Sequence, residues 1–309
     1  APQCAGTAAV PLPDAQVRIV GGSSAFGDED GHFTLESSSL DPVTVESTLV
    51  GRYFRVSDRV SSRDALLSMS VTPPATADFL HEAGDEFSLA QVNGYLNATQ
   101  VREWLLDVHP EYPTIHSQLS FPVNVNLTGG YCPGNAWYDY SSINFCQASS
   151  GYANTSFAGV SHHEYGHHIV TSGGSGQGAY GEGMSDTIAM LIADDPGLGY
   201  GFFFNQCSAP LRSADNDCQY SATTCSTCGS AVHSCGQLLA GAVWSIRNQL
   251  AQSHPETYRE ILANLVVNSV LLHTGTSINH QIPIDFLTLD DDDGNLDNGT
   301  PHRAQICAG

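Results

Sequence analysis

His163-Glu164-Tyr165-Gly166-His167 is the stretch on which the reading of this chain turns. In a helix, His163 and His167 stand four residues apart and point their imidazoles at one spot. Glu164 turns toward the same opening without being a ligand. Two imidazoles with a carboxylate beside them make the two-histidine half of a catalytic zinc site and its general base. Such a zinc takes three protein ligands and leaves its fourth position to water, so one ligand is still required. After His167 the chain reverses through Thr171-Ser-Gly-Gly-Ser-Gly-Gln-Gly178 and enters Gly181-Glu182-Gly183-Met184-Ser185-Asp186. Glu182 and Asp186 share one face of this second helix, while Met184, Ile188, Leu191 and Ile192 can face a core. Glu182 is then the third ligand. Asp186, one turn on, accepts a hydrogen bond from the far nitrogen of a ligand histidine and fixes its tautomer.

His-Glu-x-x-His followed by Glu-x-x-x-Asp resembles the glutamate-zincin metallopeptidases, the thermolysin-like enzymes, and is most similar to their fungalysin branch. The metzincin pattern would need His-x-x-Gly-x-x-His after the glutamate, and Ile169-Val-Thr171 does not continue that way. The resemblance implies an α+β, zincin-type fold of two lobes, the first mixed β/α and the second mainly helical, with one Zn2+ in the cleft between them. It implies an endopeptidase acting on polypeptides, in which Glu164 takes a proton from the attacking water and a histidine steadies the developing oxyanion. Two histidines compete for that role. His233 lies in Ala231-Val-His-Ser-Cys-Gly236, a Val-His pair entering a helical stretch, as in the family; His302 ends Asp297-Asn-Gly-Thr-Pro-His302 with only seven residues after it. His233 is favoured, although no Asp stands shortly before it to orient it. Asn135-Ala136-Trp137-Tyr138 resembles the family's edge strand that pairs with substrate backbone, which makes Asn135 and Ala136 substrate-binding candidates. The resemblance covers roughly residues 130 to 250. A zinc aminopeptidase is the alternative enzyme, but the Gly-x-Met-x-Asn strand expected of it is absent ahead of the zinc helix. A secreted, non-catalytic binding protein on a zincin scaffold is the other alternative, and it would have no use for Glu164.

Composition narrows the partners. Against 32 acidic residues stand 10 basic ones, all Arg, for a formal charge of −22. That balance excludes nucleic acid and anionic membrane surfaces as partners. No apolar run reaches the roughly 20 residues that span a bilayer, and no charged-then-apolar leader opens the chain. The expectation is a mature, soluble monomer. Nine cysteines point to disulfides and an extracellular setting. Cys132 and Cys146 flank a hairpin and are the best pair. Cys207, Cys218, Cys225, Cys228 and Cys235 crowd one stretch; Cys225-Ser-Thr-Cys228 has no second Cys-x-x-Cys to complete a zinc ribbon, so disulfides are expected there too. The odd count leaves at least one cysteine over.

Along the chain, residues 1–70 read as a β-sandwich-like module, with strands at Ala15–Val20, His32–Leu35, Val43–Leu49 and Tyr53–Val56. This resembles the small modules of the carboxypeptidase-regulatory type. Thr72-Pro-Pro74 reads as a linker, and residues 75–309 as the peptidase domain, its lobes meeting near 172–180. Ser88 is positioned to cap a helix through Leu89, Val92, Tyr95 and Leu96, with a second through Val101, Trp104 and Leu105. Strands follow at 123–127, 136–138 and 143–145, then helices at 160–171, 181–194, 236–252 and 256–271. Asp290, Asp291, Asp292, Asp293, Asn295 and Asp297 form a candidate calcium loop around a glycine, though Leu289 would fall on the first ligand position of an EF-hand. Asn97, Asn126, Asn154 and Asn298 open glycosylation sequons.

Overall fold

Alternating burial builds the first part of the chain into sheet. In the computed structural model, which describes residues 4, 6–60, 63–82 and 84–309, β1 (Ala15–Ile19) buries Ala15, Val17 and Ile19 and leaves Arg18 exposed. With β2 (Ser24–Phe26), β3 (Val43–Gly51), β4 (Phe54–Asp58), β5 (Leu66–Val71), β6 (Phe121–Leu127), β7 (Ala136–Tyr138) and β8 (Ile143–Cys146) it forms one eight-stranded sheet. The order is β2-β1-β3-β4-β6-β8-β7, with β5 also on β3. The sheet is antiparallel except at β4–β6 and β6–β8.

The architecture is the expected α+β one, but residues 1–70 do not close into a sandwich of their own. β4 buries Phe54 and Val56 and uses its second edge on β6, from Phe54↔Phe121 to Asp58↔Val125. The first strands therefore belong to the same sheet as those beyond residue 120. His32–Leu35 is not a strand. The Asp28 carboxylate accepts the N–H groups of Asp30 and His32 and turns the chain, so that Phe33 and Leu35 pack from a coil onto Val17, Ile19 and Val45.

One 23-residue helix, α1 (Glu86–Val108), replaces the two expected. Its cap is Asp85, which accepts from the N–H groups of Phe87 and Ser88 at 2.8 and 3.0 Å, rather than Ser88. Gly94 lets α1 lie on β6, since a Cβ there would stand 3.1 Å from methyls of Val123 and Val125. The helices α2 (Ala158–Ser172), α3 (Gly178–Ala193), α4 (Val232–Ser253) and α5 (Tyr258–Leu272) fall near their expected places. α6 (Gln281–Asp290) and α7 (Arg303–Ala308) complete the chain.

Two compact units divide the molecule: Ala1–Gln100 with Ser117–Ser161 and Gly201–Asn205, and Val101–His116 with His162–Tyr200 and Gln206–Gly309. The division falls within α2, ahead of the 172–180 boundary read from the sequence. The first unit's core gathers Val56, Val123, Val125, Ile143 and Phe145; the second's gathers Ile169, Met184, Ile188, Val243 and Val266. In the second unit α3 packs on α4, α4 on α5 and α7, and α5 on α6. Among the described residues no helix is long and apolar enough to cross a membrane.

Disulfides join Cys132 to Cys146, as expected, Cys218 to Cys228, and Cys225 to Cys235. Cys4 and Cys207 are also disulfide-bonded, and Cys307 is an exposed free thiol. Cys225 and Cys228 thus take different partners and form no zinc half-site.

The end of α3 is tied by charge. Asp194 closes the helix in a left-handed conformation. Its carboxylate accepts Nε and Nη2 of Arg247 at 2.9 and 2.8 Å, the Tyr258 hydroxyl at 2.9 Å and Nη2 of Arg259 at 2.6 Å. Burial alone would raise Asp194, but the Arg247 and Tyr258 hydrogen bonds outweigh it and hold the carboxyl below its ordinary 3.8. A depressed folded-state pKa gives stability that is present above the unfolded value and lost as pH falls through the folded one. Arg247→Gln should therefore destabilise by on the order of 1 kcal/mol at pH 7, the pair lying near solvent. The deficit should shrink as pH falls below 3.8, which urea unfolding at pH 7 and in acid measures.

Candidate metal centre

Three helices of the second unit meet where side chains are missing. A Cβ on Gly166 of α2 would stand 2.8 Å from Cα of Ser185 on α3. A Cβ on Gly183 of α3 would stand 2.7 Å from the carbonyl oxygen of Gly236 on α4. With almost no side chain at either contact, α3 approaches both partners at backbone distance. Glu182 lies beside these contacts, so its carboxylate reaches residues carried by both neighbouring helices.

The result is a tight constellation. Nε2 of His163 and Nε2 of His167 are 3.1 Å apart, and Oε2 of Glu182 lies 3.3 and 3.8 Å from them. These three residues can present one ligand atom each to a shared ion. The outer nitrogens decide what the inner ones carry. Nδ1 of His163 lies 2.7 Å from Oδ1 of Asp186, and Nδ1 of His167 lies 2.6 Å from Oε1 of Gln177. Both outer partners are acceptors, so each Nδ1 holds a proton, and in the neutral form of each ring the Nε2 lone pair faces inward. Oε2 of Glu182 is buried with no hydrogen bond. Two imidazole lone pairs and an orphaned carboxylate oxygen at this spacing fit zinc, which is bound by nitrogen and oxygen in such sets.

Without a cation, a proton relieves the convergence. Burial pushes His163 down, but Asp186, then Glu182 and Glu164, override it and hold the ring up at about 10. Burial, helped by the neighbouring His163, takes His167 down to about 4. Burial raises Glu182, yet His163, then His167 and His233 around it, bring it down to about 2. Asp186, against burial, is held well below the carboxylate range by His163 and Arg212.

Arg212 has no sequence signal of its own. It enters from a two-residue strand, Arg212–Ser213, and grips Asp186 with Nε at 2.7 Å and Nη2 at 2.6 Å. That bidentate bond fixes the plane of the carboxylate which in turn fixes His163. Glu164 is buried on α2, and its charge is felt by both His163 and Arg212.

His233 joins the site. It sits in the first turn of α4, half-exposed, with Nε2 3.3 Å from Oε2 of Glu182; burial lowers its pKa. His302 is engaged elsewhere, its Nδ1 2.6 Å from Oδ1 of Asp290 and its ring against His254. His162 and His168, which flank the His163–His167 stretch on α2, are both buried, and burial brings each down to about 4.

The acidic loop gathers only in part. Oxygens of Asp291, Asp292 and Asp293 come together. Asp290 instead bonds Thr300 and both the N–H and the ring of His302, and Asn295 accepts from the N–H of Asp297. Asn135 directly precedes β7 and Ala136 opens it, at the end of the first unit's sheet, where β8 is the strand partner of β7 among the described residues.

The α+β fold has a counterpart among solved structures. The structure is similar to that of the precursor of protealysin, a metalloproteinase from Serratia proteamaculans, with a TM-score of 0.60 and 11% sequence identity over 82% of this chain and 85% of that one. No protein-family model and no curated protein sequence matches the chain.

Gly236→Ala tests the helix crossing. Its Cβ would stand 2.8 Å from the Gly183 nitrogen and 3.1 Å from Cβ of Glu182. Overpacking of this kind costs about 1–3 kcal/mol. The variant should melt earlier and retain less zinc after dialysis; unchanged melting with full zinc would contradict the crossing's role.

Proposed function

We propose that this protein is a secreted, zinc-dependent endopeptidase of the glutamate-zincin type. The observation that carries the reading is the convergence of two Nε2 atoms and a Glu182 oxygen without a hydrogen bond on one point. His163, His167 and Glu182 would hold the ion. When bound, zinc supplies Lewis acidity, which lowers the pKa of a water and polarises a carbonyl.

The chain's own residues supply the rest. Glu164, one residue after His163 on α2, accepts the proton of the attacking water and passes it to the amide nitrogen. A C–O bond forms, the C–N bond breaks, and the amine leaves with that proton. His233 is neutral at pH 7, its pKa being lowered by burial, so it donates a hydrogen bond to the oxyanion developing on the substrate carbonyl without needing a charge. Asn135 and Ala136, at the entry to the end strand β7, would pair with the backbone of an extended peptide. The disulfides support an extracellular setting.

Glu164→Gln should cut hydrolysis of a denatured protein by about 10²–10⁴-fold while zinc content stays at one per chain. Retained cleavage would end the general-base assignment. Cleavage at internal bonds, read by mass spectrometry, supports an endopeptidase; stepwise loss of amino-terminal residues would replace that reading with the aminopeptidase one. His233→Ala should lower kcat by about 10²–10³-fold with zinc affinity unaltered, whereas His302→Ala should leave kcat alone.

A further inference from the structure

We infer that Gln177 is the positioning residue for the ligand His167, and that residue 181 is glycine to make room for it. This rests on the zinc reading above. Gln177 occupies the N-cap of α3, yet its side chain caps nothing there. N-cap side chains usually accept from the first helical N–H groups. Here Tyr180 N–H turns instead to the carbonyl of Thr276 at 3.0 Å, which frees the carboxamide of Gln177 for another task.

That task is fully specified by donors and acceptors. Nε2 of Gln177 donates to the carbonyl oxygen of His167 at 2.9 Å and to Oγ1 of Thr171 at 2.7 Å. A carbonyl can only accept, so the amide cannot be turned over without placing its own oxygen against that of His167. Oε1 must therefore face Nδ1 of His167, 2.6 Å away. Both groups that orient the amide come from α2, the helix carrying His167. The side chain reaches back across the glycine-rich reversal and clamps the ligand to its own helix.

Gly181 is the matching half of the device. A Cβ on residue 181 would overlap Oε1 of Gln177, and the three atoms nearest to it all belong to Gln177. Alanine is the stronger helix former, and what its Cβ would meet first at that position is this amide. The two ligand histidines are consequently held by unlike partners. His163 is backed by a carboxylate gripped by Arg212, and His167 by a neutral amide that adds no charge to a pocket already holding Glu164, Glu182 and Asp186.

The test is a double-mutant cycle on the full-length protein with Gln177→Leu and Gly181→Ala. The readouts are zinc affinity by chelator competition, the absorption spectrum of the cobalt-loaded protein, and melting of the metal-free protein. Each single substitution should weaken zinc about ten- to hundred-fold, the range typical of lost outer partners of metal-bound histidine, and shift the cobalt bands. In the Gln177→Leu background, Gly181→Ala should add no more than about a twofold further loss and should raise the melting temperature, the reverse of its effect in the parent. A folded Gln177→Leu protein that binds zinc within about twofold of the parent, or strictly additive losses, would overturn the inference. If Gln177→Leu does not fold, the weakened zinc affinity of Gly181→Ala alone decides it. Failure of the zinc reading looks different: the parent would then bind no stoichiometric zinc, or His163→Ala would bind it equally well.

Discussion

The site depends on α3 being approached at backbone distance from both sides. Gly166 meets Ser185 on one side, and Gly183 meets Gly236 on the other. Ordinary side chains would hold helix axes 8–10 Å apart by their bulk, and Glu182 would then fall short of the histidines on α2. Each glycine costs the helix roughly 1 kcal/mol relative to alanine. The chain accepts that cost at Gly166, Gly183 and Gly236, where the helices around the candidate site touch, and once more at Gly181. Local propensity is sacrificed where the geometry of a ligand requires it.

Covalent bracing does comparable work where the chain has little core to use. Arg212 and His233 are delivered by the segment between them, most of which is exposed. There the interleaved Cys218–Cys228 and Cys225–Cys235 bonds replace apolar burial, and Cys235 is buried in the first turn of α4, two residues past His233. Asn216 adds a polar tie, its amide donating to the carbonyls of Ser213 at 2.8 Å and Gln237 at 3.2 Å. A loop that would otherwise sample many conformations is held against α4, limiting the freedom of both site residues.

What could be read from the sequence follows from what is periodic. The meeting of His163, His167, Glu182 and Asp186 was legible because side chains on helices recur at a fixed spacing. Gln177 and Arg212 were not, because each reaches its partner from a cap or a two-residue strand whose sequence separation encodes nothing. Alternation disclosed β1, β3 and β4 one by one. It could not disclose that β4 pairs in parallel with β6, since parallel pairing joins segments far apart and leaves no local mark. For the same reason the first strands read as a module when they are part of a larger sheet. At α1, the helices expected through Leu96 and from Val101 are one, and between them Thr99 is buried and returns its hydroxyl to the carbonyl of Tyr95 at 3.0 Å.

Charge gives an argument for the ion independent of ligand geometry. Glu164 and Asp186 are buried, and Glu182 is nearly so, at 15% side-chain exposure. Arg212 is the guanidinium set against them, already engaged by Asp186. Three carboxylates against one guanidinium leave two negative charges in a region where isolated charge is expensive. A proton on His163 offsets one of them, which is why that ring is held so far above its usual value. A single divalent cation offsets both at once. The lone pairs of His163 and His167 then have a partner, the orphaned oxygen of Glu182 is satisfied, and Asp186 remains balanced by Arg212. The charge that the cluster lacks is thus the charge of the ion that its ligand atoms fit.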